Sequence, residues 1–138
     1  MANYTVSKLK FANDSTNTYE MVDATAVHDN IIALTSSTIS NIPVASGVVF
    51  TYTVAANDVL TFANAPADRA TAFELWLTMP DPAVTFSFGT TIMWADGNGR
   101  FSSYNPAPDF TEGGLVYRLV FQYDGTNWLG NLVSVKEV

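Results

Sequence analysis

The chain of 138 residues contains no cysteine and only one histidine, His28. The lack of cysteine excludes disulfides, thiol catalysis and cysteine-ligated metal, and it leaves the redox compartment open. Apolar runs are short, and none approaches the roughly eighteen residues that span a bilayer. The chain opens with Met1-Ala2-Asn3-Tyr4, without a basic segment followed by an apolar one. The sequence therefore predicts neither secretion nor membrane insertion.

Charge is also scarce. Only 14 % of the residues are charged, against roughly 25 % in an ordinary soluble domain. The six Lys and Arg residues are spread along the chain and the net charge is −7, so nucleic acid is not expected as a partner. A surface with few charges and many Thr, Ser and Asn residues favours packing against other protein, and we expect the chain to form oligomers.

The N-terminal part predicts a hairpin followed by a helix. Residues 4–11 and 18–22 have strand composition, and the turn formers of residues 12–17 join them. Asp23 is a suitable cap for a helix that begins at Ala24. Ala26, Val27, Ile31 and Leu34 then share one helical face. The hydroxyl side chains of residues 35–37 predict its end.

Strand patterns dominate the rest of the chain. Residues 48–54 alternate in polarity, and the turn at residues 55–58 predicts a hairpin with residues 59–63. Residues 71–79 place four apolar side chains on one face, namely Phe73, Leu75, Leu77 and Met79. The clearest signal is the last strand pair, residues 115–123 and 128–135, joined by Asp124-Gly125-Thr126-Asn127.

These elements predict a mainly β protein, in which an N-terminal β-hairpin and one short helix precede an antiparallel β-sandwich or jelly-roll-like module. The small and polar residues of 35–47 interrupt the periodicity. We therefore predict two domains, the N-terminal hairpin plus helix over residues 1–40 and the β-sandwich module over residues 41–138.

The sequence contains no convincing catalytic set. His28 lacks a nucleophile or an oxyanion motif in its neighbourhood, and we interpret it as an exposed helix residue. Glycoside hydrolysis needs two facing carboxylates, and the spacing of the candidates supports no such pair. Those candidates are Glu74, Asp81, Asp109 and Glu112. Asp96-Gly97-Asn98-Gly99 begins like a calcium loop, but Arg100 occupies a ligand position. We predict no enzymatic activity, no cofactor and no metal.

A long irregular stretch over residues 96–114 is rich in glycine and proline, and loops of this length are commonly functional. Aromatic side chains in or beside it are candidates for a partner or ligand contact. They are Trp94, Phe101, Tyr104 and Phe110. We favour a subunit contact over sugar binding, because the charge-poor surface already indicates association.

Two segments resemble patterns of tailed-phage virion proteins. Residues 18–26, Thr-Tyr-Glu-Met-Val-Asp-Ala-Thr-Ala, resemble the Tyr-Asp-Ile-x-Asp-Ala-x-Ala-Arg stretch near the start of fibre, head-fibre and baseplate-associated proteins. Residues 82–86, then Trp94, then residues 115–128 resemble the terminal β-module of phage fibre and appendage proteins, which ends in a Phe-x-Tyr-Asp-Gly-Thr-x-Trp hairpin.

The resemblance implies a non-catalytic virion component, commonly a homotrimer, whose N-terminal part attaches to the particle. The short chain suits a capsid decoration, a head-fibre base or a short tail appendage that contacts other capsid or tail proteins. The alternative is the receptor-binding module of a tail fibre, which holds a host surface glycan. Attachment or oligomer contact is expected at six residues, namely Tyr19, Asp23, Ala24, Ala26, Ile31 and Leu34. The expected location is the virion, assembled in the host cytoplasm.

Overall fold

The computed structural model describes residues 10–12, 18–20, 31–44, 49–63, 65 and 70–138. These residues form strands joined by turns, and their one helix is a 3-10 turn over Ile39–Asn41. The strands are β1 (Lys10–Ala12), β2 (Thr18–Glu20), β3 (Ile31–Ala33), β4 (Ile42–Pro43), β5 (Val49–Thr53), β6 (Asp58–Leu60), β7 (Phe62–Ala63), β8 (Thr71–Thr78), β9 (Phe86–Phe88), β10 (Ile92–Ala95), β11 (Phe101–Ser102), β12 (Leu115–Tyr123) and β13 (Trp128–Glu137). The described part of the chain contains no helix long and apolar enough to cross a membrane.

Seven strands form one mixed sheet in the order β11-β10-β13-β12-β8-β5-β3. Its centre is antiparallel, because β12 pairs antiparallel with both β13 and β8. On one side β5 runs parallel to β8 and to β3, and on the other β10 runs parallel to β13. The mainly β prediction is therefore confirmed, and the expectation of a purely antiparallel arrangement is wrong.

Two neighbouring parallel strands need a crossover connection that leaves the sheet and returns to it. In this protein the crossover connections contain short strands. Between β3 and β5 the chain passes through β4, and between β5 and β8 it passes through β6 and β7. These short strands pair in parallel, β4 with β7 and β6 with β9. The predicted hairpin of residues 48–54 with 59–63 is therefore wrong, since β5 and β6 pair with different strands.

Asp58 holds the turn at which the chain leaves the sheet after β5. Its Oδ2 accepts hydrogen bonds from the Tyr52 hydroxyl and from the Ala55 amide, each at 2.7 Å. Asn57 takes a positive φ of 65° in this turn. Burial together with the Asp58 carboxylate raises the pKa of Tyr52 to about 12. The turn predicted at residues 55–58 is present, but it connects β5 of the sheet to the short strand β6.

The predicted helix is wrong over its last residues. Ile31–Ala33 form β3, which pairs with β5 in the register Ile31↔Val49 to Ala33↔Thr51. The Leu34 amide continues this ladder by donating to the Thr51 carbonyl at 2.8 Å. Two consecutive β-branched residues suit an extended strand, and pairing with β5 outweighs the helical spacing. Residues 24–30 of the predicted helix lie outside the described residues.

Residues before position 41 also contribute to the main sheet and its core. β3 is an outer strand of the sheet, and Leu34 and Ile39 are buried in the core. The segment from Ile31 onwards therefore packs with the β-module. β1 and β2 pair antiparallel in the register Lys10↔Glu20 to Ala12↔Thr18, as the predicted N-terminal hairpin requires. The division of the chain at residue 40 stays a prediction.

The core lies between one face of the sheet and the short strands. Phe62, on β7, contacts three aromatic side chains of the sheet with ring centroids 4.8 to 5.0 Å apart. These side chains are Phe73, Phe121 and Trp128. The alternation along β8 is confirmed, because its three predicted core residues are buried, as is Met79 directly after the strand. No charged or polar residue in the described part of the chain is buried.

Gly130 lets two neighbouring strands approach closely. It lies opposite Phe121 on β12 and opposite Trp94 on β10. A Cβ at this position would lie 2.8 Å from the Trp94 ring and 2.8 Å from Ile92. The absence of a side chain allows the Trp94 ring to reach Phe121, with centroids 5.7 Å apart. Trp94 thereby becomes part of the core.

The C-terminal strand pair is confirmed, and β13 extends to Glu137. Asp124 stabilises its turn, because Oδ1 accepts hydrogen bonds from the amides of Thr126 at 2.8 Å and Asn127 at 2.6 Å. These amide bonds lower the pKa of Asp124. Gly125 takes a φ of 97°, a backbone conformation that glycine adopts without strain. The turn therefore forms at the residues that the sequence predicted.

We predict that Phe62→Ala lowers the free energy of unfolding by about 3 to 5 kcal/mol, because it leaves a cavity among the aromatic rings of the sheet. Urea denaturation followed by tryptophan fluorescence measures the change. Val59→Ala, on β6 and 47 % exposed, is the matched control and should cost less than about 1 kcal/mol. Equal losses in the two variants would contradict this account of the core.

Candidate functional site

The long loop over residues 96–114 begins as a tight hairpin between β10 and β11. Asp96 holds it, because its Oδ1 accepts hydrogen bonds from the amides of Asn98 at 2.8 Å and Arg100 at 2.9 Å. The Asp96 amide donates to the Arg100 carbonyl at 2.9 Å, and Gly99 takes a φ of 75°. The Asp-Gly-Asn-Gly sequence is thus a hairpin turn, in which Asp96 caps backbone amides.

The next turn presents Tyr104 to solvent. Ser102 begins it, because its Oγ accepts a hydrogen bond from the Tyr104 amide at 3.1 Å and its carbonyl accepts one from the Asn105 amide at 3.2 Å. The Asn105 side chain donates to the carbonyls of Trp94 and Arg100, each at 2.8 Å. Tyr104 is 95 % exposed. The turn therefore holds an exposed aromatic side chain on an ordered backbone.

The far end of the loop is anchored by Phe110. Its ring lies 5.1 Å from that of Phe86 on β9 and 5.1 Å from that of Tyr117 on β12. The Tyr117 hydroxyl donates to the Glu112 carbonyl at 3.0 Å. Burial raises the pKa of Tyr117. Both ends of the loop are therefore tied to the core, and its middle remains at the surface.

A shallow apolar groove of about 260 Å³ runs beside this anchor. We call it the aromatic groove; it is lined by Ala83, Val84, Thr85, Phe86, Phe110 and Thr111. A second depression of about 300 Å³ adjoins it and shares Phe86 and Phe110. Asp109 lies at the neighbouring turn, where hydrogen bonds from the Thr111 hydroxyl and amide lower its pKa. Aromatic rings, hydroxyls and one carboxylate thus lie close together.

The four aromatic residues predicted for this region divide into two pairs. Trp94 is buried and Phe110 is half-buried, so both serve mainly to pack the loop against the core. Phe101 is 37 % exposed and Tyr104 is almost fully exposed. The surface available to a partner therefore lies around residues 101–104. The sequence analysis assigns no site role to Phe86 or Asn105. For the groove, the alternation of Phe86, Ser87 and Phe88 is the pattern in the sequence that indicates an aromatic face.

The residues predicted for attachment are only partly described. Ile31 is 61 % exposed at the outer strand β3, whereas Leu34 is buried in the core. Tyr19 lies on β2, opposite Phe11. Asp23, Ala24 and Ala26 lie outside the described residues. Among these six residues, Ile31 is therefore the one whose side chain the structure describes as exposed.

The candidate carboxylates lie in different places: Asp109 and Glu112 line one surface depression beside Tyr117, whereas Glu74 lies on β8. Glu74 lies on the other face of the sheet from the core, where its Oε2 accepts a hydrogen bond from Trp76 Nε1 at 2.8 Å. Arg118 contacts the same oxygen at 3.3 Å and stacks over the Trp76 ring, 5.3 Å from its centroid. Within the described ranges, no three acidic, histidine or cysteine side chains are placed to hold a metal ion.

Comparison of the chain with protein-family models, with curated proteins and with solved structures finds no match.

We predict that Asn105→Ala lowers the free energy of unfolding by about 0.5 to 1.5 kcal/mol, because the carbonyls of Trp94 and Arg100 lose their shared donor. It should also speed amide hydrogen exchange between residues 100 and 105. Tyr104→Ala is the matched control next in sequence, and its exposed side chain should change stability by less than about 0.5 kcal/mol. Unchanged exchange in Asn105→Ala would show that this side chain does not order the turn.

Proposed function

We propose that the chain is a non-catalytic structural subunit of a phage virion, a capsid decoration, head-fibre or short tail-appendage protein that acts through protein contacts. The observation that carries the contact function is Tyr104, which is 95 % exposed on a turn held by Ser102 and Asn105. Because the backbone of this turn is already held in place, covering Tyr104 costs less conformational entropy than ordering a flexible loop would.

The assignment to a virion rests on the sequence resemblance of residues 18–26, 82–86 and 115–128. The structure supports the proposal in one respect, because residues 115–128 form the strand pair and turn on which the resemblance depends. We propose a homotrimer, as in the proteins that the chain resembles, with assembly in the host cytoplasm and other capsid or tail proteins as partners.

For the architecture, we propose a β-sandwich whose second layer consists of the β4–β7 and β6–β9 pairs. Both pairs have buried apolar residues, and Phe62 on β7 and Phe88 on β9 contact Phe121 of the sheet. Opposed sheets with interdigitated side chains are typical of sandwiches. The non-catalytic role is supported by two carboxylates of the long loop, Asp96 and Asp109, because both accept hydrogen bonds from backbone amides.

The virion proposal is tested on particles of the phage that encodes the chain. Gold-labelled antibody against the purified chain should mark one defined position on intact particles in the electron microscope. Added purified chain should bind particles that lack it, and Tyr104→Ala should weaken this binding at least about tenfold, as truncation of an aromatic hot spot does. Val59→Ala should bind like the wild type. Unlabelled particles, with no binding of added chain, would refute the proposal.

A second candidate function is recognition of a neutral host glycan, and the aromatic groove is the observation that favours it. Sugars pack their apolar faces on aromatic rings and hydrogen-bond to flanking hydroxyls. Phe86 and Phe110 supply rings at the groove, and Thr85 and Thr111 supply hydroxyls.

The groove can be blocked without changing the Tyr104 turn. We predict that Val84→Trp fills the groove and weakens any binding on a glycan array at least about tenfold, since a filled pocket excludes its ligand. Tyr104→Ala serves as the control and should keep glycan binding. A wild-type chain that binds no glycan on the array, or a Val84→Trp variant that binds as well as the wild type, would exclude this role for the groove.

A further inference from the structure

Three junctions in the chain place an aspartate or asparagine directly before a glycine. They are Asp96–Gly97, Asn98–Gly99 and Asp124–Gly125. At such a junction the next backbone nitrogen can attack the side-chain carbonyl carbon and close a five-membered succinimide ring. Glycine favours this ring closure, because it has no side chain to hinder the approach and its backbone adopts more conformations than that of other residues. The structure distinguishes the three junctions by the way in which their side chains are held.

The two aspartates are held in a form that does not close the ring. Asp96 Oδ1 accepts hydrogen bonds from two backbone amides at 2.8 and 2.9 Å. Asp124 Oδ1 accepts two more at 2.8 and 2.6 Å, and these bonds lower the pKa of Asp124. Ring closure at an aspartate requires the protonated acid, which leaves an oxygen as water, whereas amide donors stabilise the ionised carboxylate. Both aspartates are therefore protected.

Asn98 lacks this protection. Its residue is exposed at the tip of the long loop. In the described part of the chain this tip is held by the side chains of Asp96 and Asn105, and the carboxamide of Asn98 takes part in none of their hydrogen bonds. A Cβ at Gly99 would meet nothing within 4 Å, so the junction is open to water. An uncharged side chain next to an unhindered nitrogen is the arrangement that ring closure needs.

One hydrogen bond slows the reaction. The Gly99 amide, whose nitrogen has to attack, donates to the Asp96 carbonyl at 3.1 Å. Hydrogen bonds at exposed loop tips open far more often than those of the core. The reaction therefore proceeds from the opened turn, and we expect it to be slower in the folded protein than in the unfolded chain.

We propose that Asn98 is a site of spontaneous deamidation and that the reaction loosens the tip of the long loop. The Gly99 nitrogen loses its proton and attacks Cγ of Asn98. The new N–Cγ bond forms as the Cγ–Nδ2 bond breaks, and Nδ2 takes up a proton and leaves as ammonia. Water then opens the succinimide at either carbonyl, which gives aspartate or isoaspartate at position 98. Water is the one co-reactant, and the reaction does not depend on the virion proposal.

The isoaspartate product changes the backbone of the turn. It carries the chain through the former side chain, so one carbon is added to the backbone between Asp96 and Arg100. The Asp96 amide donates to the Arg100 carbonyl at 2.9 Å across this connection. The same carbonyl accepts a hydrogen bond from the Asn105 side chain at 2.8 Å. A longer connection disturbs both bonds, and the turn that presents Tyr104 loses its support.

Peptide mapping of the aged full chain tests the reaction. After incubation in warm, mildly alkaline buffer, the peptide that contains Asn98 should gain about 1 Da, the mass change from amide to acid. Asn131 is exposed on β13 and precedes Leu132. It is the internal reference and should react at least about tenfold more slowly, since a side chain on the next residue hinders ring closure.

The same chain unfolded in urea shows whether the incubation is long enough. Reaction at Asn98 in the unfolded chain, but none in the folded chain over a longer incubation, would overturn the proposal. It would also be overturned if Asn131 reacted as fast as Asn98, or if isoaspartate formed at Asp96 or Asp124 as fast as at Asn98.

The effect on the turn is tested with two variants of Asn98. Amide hydrogen exchange between residues 100 and 105 should be faster in the aged wild type than in the fresh wild type. Asn98→Gln, whose longer side chain disfavours the five-membered ring, should show no such change on ageing. Fresh Asn98→Asp adds the charge without the extra backbone carbon, and it should exchange like the fresh wild type.

The comparison separates the backbone change from the charge. Unchanged exchange in an aged wild type that has reacted at Asn98 would overturn the proposed loosening. A fresh Asn98→Asp variant that exchanges as fast as the aged wild type would also overturn it, because the added charge would then be sufficient.

Discussion

Phe62 contacts Phe73, Phe121 and Trp128 across the core, and the arrangement of the protein depends on this contact between the sheet and the short strands. Each ring belongs to a different strand, so their packing brings distant parts of the chain together. The rings meet mostly edge to face, the geometry that the aromatic quadrupole favours. Because the described core holds no polar or charged residue, its cohesion comes from apolar burial and close packing.

The same core positions the surface of the long loop. Phe110 packs on Phe86 and Tyr117, and the Trp94 carbonyl accepts a hydrogen bond from Asn105. Trp94 and Phe110, which hold the two ends of the loop, thus also contact the core. Tyr104 lies between these anchors, which explains how an almost fully exposed aromatic side chain sits on an ordered turn. A rigid scaffold that presents a loop is a common way to build a binding surface.

Local pattern predicted the elements whose partners are close in sequence. β12 and β13 alternate in polarity on either side of a turn that contains Asp124 and Gly125, and both the strands and the turn form as predicted. The alternation along β8 also identified the face that is buried. In contrast, Ile31–Ala33 has spacing compatible with a helix, and pairing with β5 decides that it is a strand.

The candidate site around the long loop could be predicted from the sequence to a similar extent. A long loop with exposed aromatic residues was evident from composition, and Tyr104 is exposed as that interpretation requires. The inward position of Trp94 was not evident, because it depends on the missing side chain of Gly130 on another strand. The role of Asn105 was hidden for the same reason, since its two acceptors lie elsewhere in the chain.

By itself the sequence determined the β character of the protein, its C-terminal hairpin and its charge-poor, cysteine-free composition, because these follow from residue type and from periodicity of two. Only the tertiary structure decided which strands are neighbours. Parallel pairing and the crossing through β6 and β7 depend on contacts between residues that are far apart in sequence. Tertiary structure also decided that β10 pairs with β13 only from Trp128 to Gly130.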